Sequence, residues 1–121
     1  MKPLALNELP AFTERFSSFK DAEFRSLEII SPLQIRTTFA VQDSARAYDW
    51  ITITLEFNGV SDARLLESTK LSFVDMSDGA NLIKDETLFA FGIGECYNIS
   101  TLKSASCYII ATSLKYEEGL F

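Results

Sequence analysis

The chain reads as mainly β: an antiparallel sandwich or open barrel of six to seven strands with one short N-terminal helix, α+β being the neighbouring alternative. Three observations carry that reading. Residues 50–57 alternate, with Ile51, Ile53, Leu55 and Phe57 on one side of an extended chain and Thr52, Thr54 and Glu56 on the other. Residues 33–42 repeat the pattern, setting Leu33, Ile35, Thr37, Phe39 and Val41 against Gln34, Arg36, Thr38 and Gln42. By contrast, Leu9, Phe12, Phe16 and Phe19 recur at helical spacing. A length of 121 residues is that of one domain, 1–121, long enough to bury a core. The 47% hydrophobic and 23% charged content is that of a globular chain rather than a disordered one.

Each element has a local cause. Asn7-Glu8-Leu9-Pro10 supplies a capping residue and a first-turn proline, so a helix is predicted over about residues 8–18, its phenylalanines anchoring it on the sheet. Lys20-Asp21-Ala22 breaks that pattern. A strand follows from Phe24 to Ser31 and ends at Pro32, because the residue before proline is pushed to extended geometry. Its facing is ambiguous: Leu27 and Ile29 share one phase, Phe24 and Ile30 the other. Residues 33–42 form a strand with one wet face, and the polar stretch Asp43–Asp49 leads into the central strand. Asn58-Gly59 is a hairpin-turn signal, so Val60–Glu67 is expected to return as the next strand. Lys70–Met76 reads as a strand, Asp75–Asn81 as a turn, and Thr87–Ile93 as a strand whose end is marked by Gly92 and Gly94. Glu95–Ser106 is irregular, Cys107–Tyr116 is the last strand, and Glu117-Glu118-Gly119 is a solvated tail.

Chemistry is constrained mainly by exclusion. The chain has no histidine, which removes Ser-His-Asp and Cys-His arrangements and every His-containing metal site. Two cysteines cannot complete a structural zinc site, and no cofactor is expected. Cys96 and Cys107 are expected as reduced thiols, Cys107 as a small buried hydrophobe. Asp75 with Asp78, and Asp85 with Glu86, are the densest acidic spots; a hydrolase would need two such groups facing one cleft, whereas solvated turns need nothing further. A calcium loop fails at Val74 and Met76, which fall on ligand positions. Phe91-Gly-Ile-Gly94 opens like a dinucleotide loop but has Tyr97 where the third glycine belongs. Asn98-Ile-Ser100 is formally a glycosylation sequon without meaning in a cytoplasmic protein. The net charge of −6 argues against nucleic-acid and anionic-membrane partners, both of which call for Lys and Arg. No apolar run reaches the roughly 18 residues of a spanning helix and no secretory signal is evident, so a cytoplasmic location is expected. Ten phenylalanines raise the alternative of a small apolar-ligand carrier with a Phe-lined interior, although barrels of this size usually fill themselves; a structural protein is the other alternative.

Two segments carry a resemblance. Phe19-Lys-Asp-Ala-Glu-Phe-Arg-Ser-Leu-Glu-Ile29, followed by Ile53-Thr-Leu-Glu-Phe-Asn-Gly-Val60, resembles small β-rich bacterial proteins that include predicted immunity proteins of polymorphic toxin systems. There a Phe-His-Asp-Ala/Ser segment opens the first strand and a later strand ends in Phe-x-Gly-Val. Asp21, Ala22, Phe57, Gly59 and Val60 match. Lys20 stands where histidine is usual, so a role for that histidine does not carry over. The resemblance implies a non-enzymatic module that neutralises a cognate toxin by binding it, and the acidic charge suits a basic toxin domain. The partner surface expected on this reading combines the aromatics Tyr48 and Trp50 with the acids Asp75, Asp78, Asp85 and Glu86. An uncovered strand edge would in addition favour a homodimer.

Overall fold

The computed structural model covers residues 1–121 and contains seven antiparallel strands in one sheet. They are β1 (Lys2–Leu4), β2 (Glu23–Ser31), β3 (Gln34–Asp43), β4 (Asp49–Arg64), β5 (Ala80–Asp85), β6 (Leu88–Ile93) and β7 (Tyr108–Leu120). Two short helices complete the chain, α1 (Leu9–Arg15) and α2 (Ile99–Leu102). The spatial order is β2-β3-β4-β7-β6-β5, with β1 also pairing β7. The end strands β2 and β5 do not pair with each other, so the barrel stays open.

The alternating segment is central, as its pattern predicts. β4 pairs with β3 on one side and with β7 on the other. Ile53, Leu55 and Phe57 are completely buried, while Thr52 and Thr54 are only half-buried on the opposite face. β7 runs along nearly all of β4, and its second edge is shared by β6 at residues 108–111 and β1 at residues 114–116.

The sheet is strongly curled. Phe39 on β3 and Phe91 on β6 have ring centroids 5.8 Å apart although β4 and β7 lie between their strands. A flat sheet with strands about 4.8 Å apart would hold them roughly 14 Å apart. Into this concavity α1 and the turn after it insert Leu9, Phe12, Phe16 and Phe19, as the helical spacing anticipates. Phe12, Phe16, Phe19 and Phe39 form a chain of ring contacts with successive separations of 5.1, 6.0 and 5.5 Å. Such tilted pairs add about 0.5–1.5 kcal/mol each beyond the area they bury. Eight of the ten phenylalanines are buried, packed on one another and on the sheet's aliphatic residues, so aromatic rings fill the interior. On the convex face α2 covers a smaller cluster around Leu102, Tyr108 and Ile110. Asn98 of the sequon caps that helix, accepting from the Thr101 amide at 2.9 Å.

The ambiguous facing of β2 resolves through two bulges. Register shifts between Phe24 and Ser26 and between Ile29 and Ser31 each absorb a residue. Phe24, Leu27 and Ile29 consequently oppose Phe39, Thr37 and Ile35, all on the core face.

Four expectations are corrected. Asn58-Gly59 does not reverse the chain: β4 continues to Arg64 because β7 keeps pairing with it beyond a bulge at Val60–Asp62. Gly59 uses its positive φ of 68° to bend the strand, and the return strand expected at Val60–Glu67 is absent. Residues 68–73 form a 3₁₀ turn rather than a strand; Leu71 is buried and Phe73 is 84% exposed, a spacing no one-sided strand produces. The turn expected through Asn81 ends at Gly79, and Ala80–Asp85 form β5, which hairpins into β6 through Glu86 in the left-handed region. The expected solvated tail is instead the end of β7, where Glu117 and Glu118 pair in register with Thr54 and Ile53.

Candidate functional site

One corner of the sheet gathers the turn from β3 to β4, the end of β7, the start of β2 and the end of α1. Its foundation is Asp43, fully buried at the end of β3. The Arg15 guanidinium donates to both carboxylate oxygens, Nε to Oδ1 at 2.8 Å and Nη2 to Oδ2 at 2.7 Å. The Ala45 amide donates to Oδ1 at 3.0 Å, and Arg46 Nε lies 3.4 Å from Oδ2. Glu118 of β7 also accepts from Arg15, and it lies 3.3 Å from Arg46 Nη2. Ser44 Oγ donates to the Arg15 carbonyl at 2.8 Å. Arg15 beside Asp43 holds that carboxyl below its usual range despite burial, while its hydrogen bond to Asp43 raises the Arg15 guanidinium. The Arg15–Asp43 pair is therefore ionised, and with its contacts to Arg46 and Glu118 it locks α1, the β3–β4 turn and β7 together.

That lock sets the turn that follows. Ala47 and Tyr48 adopt positive φ values of 54° and 65°, a sparsely populated backbone for residues with a Cβ. The turn leaves Tyr48 58% and Trp50 40% exposed. The Trp50 ring meets Phe121 at a tilt of 50° with centroids 5.7 Å apart, and the Arg25 guanidinium of β2 lies over the Phe121 ring, 4.6 Å from its centroid. Arg25 also donates to the Phe121 carbonyl at 3.2 Å and pairs with Glu23 at 3.1 Å. Leu120, next to this stack and in register with Ile51, is exposed. The exposed acids Asp49 and Glu23 stand beside these apolar groups.

The structure thus brings Tyr48 and Trp50 together but not the four acids expected with them. Asp75 and Asp78 are exposed on the connection into β5, where Asp75 accepts from the Ser77 amide at 2.9 Å and is held below its usual range by it. Asp85 and Glu86 sit at the β5–β6 turn. These four acids enter no ion pair, and no group of three or more potential metal ligands gathers anywhere. The groups beside these aromatics carry no local signal of a site: Arg25 falls inside the expected strand 24–31, and Leu120 and Phe121 follow the expected tail Glu117-Glu118-Gly119.

Other charged groups serve the sheet. On the wet face Glu56 accepts from Arg36 at 2.9 Å and Gln34 at 2.6 Å, and Arg36 holds its carboxyl below the usual range. Both cysteines are free and buried; burial raises the Cys96 thiol and pushes Cys107 up to about 11, which opposes thiolate chemistry. No helix is long and apolar enough to cross a membrane. Comparisons with protein-family models, with curated proteins and with solved structures find no match to this chain.

Proposed function

We propose that this chain is a non-enzymatic protein-binding module of the immunity type, which neutralises a basic toxin domain by covering it. The observation that carries the reading is that Tyr48 and Trp50, which follow a turn fixed by ion pairs to the buried Asp43, converge with Leu120 and Phe121 at the end of β7, all four exposed at one corner. Exposed aromatics held rigidly beside an arginine are the composition from which binding hot spots are built. Preorganisation matters here, since a turn already locked loses little conformational freedom on association. The surrounding acids Glu23 and Asp49 and the net charge of −6 complement a cationic partner and accelerate its capture. The absence of histidine, the paired state of the buried carboxylates and the raised thiols agree with a role that makes no bonds.

The test is genetic and then biophysical. A toxin domain encoded beside this chain should arrest growth when expressed alone and be tolerated when this chain is co-expressed. Purified complex should lose about tenfold or more in affinity on Trp50→Ala or Tyr48→Ala, the range of a hot-spot residue. Recovery of the chain alone from its native cell, with no growth-arresting neighbour, overturns the reading. So does a complex indifferent to both substitutions.

A further inference from the structure

Two of the strands that meet at the exposed corner are not neighbours. β2 and β7 are separated by β3 and β4, yet one side chain joins them. The bulge between Phe24 and Ser26 takes Arg25 out of the alternation, and its guanidinium reaches the residue that follows β7. It lies 4.6 Å from the Phe121 ring centroid and donates through Nη1 to the Phe121 carbonyl at 3.2 Å. Its Nη2 donates to Glu23 at 3.1 Å, so both arms of the fork are used. Between the two strands β3 presents Ala40, which turns outward because Phe39 and Val41 on either side face the core. Ala40 is fully buried although it belongs to neither apolar cluster, as befits a small side chain roofed by larger neighbours. Phe121 itself has little other anchorage. The β4–β7 ladder ends with Leu120 opposite Ile51, and Phe121 makes no backbone–backbone hydrogen bond. Its ring meets Trp50 at 5.7 Å, and its one hydrogen bond comes from Arg25.

We propose that Arg25 is the positioning residue of the binding corner: it clasps Phe121 against Trp50 and so fixes the aromatic surface offered to the partner, without meeting the partner itself. The inference rests on the protein-binding reading of this corner and adds which residue sets its shape. Three features assign the role to Arg25. Its face and both arms are engaged within the molecule, so bonds to a partner would have to replace bonds already made. A planar guanidinium lies flat over a ring while donating from its edges, a combination that a lysine ammonium does not offer. And a Phe121 left free would surrender its conformational freedom on association, which weakens a complex.

Trp50 is the single tryptophan of the chain, so its fluorescence reads the clasp with no partner present. Arg25→Gln should move the emission to longer wavelength and make it easier to quench with acrylamide, while circular dichroism stays unchanged. Phe121→Ala should reproduce that shift, and Arg25→Gln added to it should shift the emission no further. Arg25→Lys should fall between the original chain and Arg25→Gln. In the complex with the toxin domain, Arg25→Gln should weaken binding by about three- to tenfold. Added to Phe121→Ala it should cost nothing more, because the two residues act as one unit. Trp50 emission indifferent to Arg25→Gln overturns the proposal. So does a loss of affinity that is the same with and without Phe121, since Arg25 would then touch the partner directly. A fluorescence shift in a chain for which no toxin is found upholds the clasp and sinks the immunity reading alone.

Discussion

Single atoms in the core already make testable demands. Thr37 is fully buried on β3 between Ile35 and Phe39, and its hydroxyl has no hydrogen-bond partner. An unpaired buried hydroxyl has lost its water without compensation, so Thr37→Val should leave stability unchanged or raise it by up to about 1 kcal/mol, read as a higher thermal midpoint. A midpoint lowered by several degrees would show that the hydroxyl is satisfied in solution. Asp43 is the opposite case, a buried carboxylate that accepts two hydrogen bonds from Arg15 and one from the Ala45 amide. Asp43→Ala leaves Arg15, which is about a quarter exposed, with Glu118 as its remaining acidic partner and should cost about 2–3 kcal/mol in chemical denaturation. The pH dependence follows from the direction of its shift. The folded state binds the Asp43 proton less tightly than the unfolded chain, whose carboxyl titrates near the ordinary 3.8. Its stabilisation is therefore complete above about pH 5 and disappears as pH falls below 3.8 toward the lower folded value. Asp43→Asn should flatten that acid limb of the stability profile; an unchanged limb would assign it to Glu56 and the other carboxylates alone.

At the scale of elements, two glycines permit connections that no other residue would. A Cβ on Gly59 would stand 2.0 Å from Thr112 Oγ1 on the neighbouring strand, at a φ of 68°. Gly59→Ala should cost about 1–3 kcal/mol, and Thr112→Ala should return the steric part but not the backbone part. At Gly79 the added carbon would meet the Ser18 carbonyl oxygen at 2.0 Å, and a backbone atom cannot rotate aside. Gly79→Ala should therefore be the more damaging, without rescue from any side-chain change, when the two are compared in urea. These positions also explain how far the fold was legible. Alternation at residues 50–57 and 34–43 reports one buried face, so β4 and β3 could be read directly. Helical spacing did the same for α1. Asn58-Gly59 misleads because the dipeptide signals permission for positive φ, and only pairing with β7 decides whether the chain reverses or bends. β5 escapes notice because its turn uses Glu86 in place of glycine or asparagine, and the 3₁₀ turn at 68–73 because its one buried residue, Leu71, gives no period.

For the molecule as a whole, legibility fails wherever partners are distant in sequence. Tyr48 and Trp50 could be singled out as surface aromatics, but Arg15 and Glu118 are separated by 103 positions, and nothing local announces that they meet over Asp43. The same nonlocal wiring fixes how the molecule should open. β4 and β7 share the longest pairing and flank the fully buried residues, whereas β2 has one strand neighbour and a bare edge. Amide hydrogen exchange should therefore be slowest in residues 51–58 and 109–116, where opening requires global unfolding, and fastest among strands in β2 of the isolated chain. Protection of Ser26–Ile30 that matches β4 at the lowest concentration would mean that the edge is covered within one chain. Uniform protection across β2, β4 and β5 would mean that the open sheet unfolds as one cooperative unit, its ends no looser than its centre.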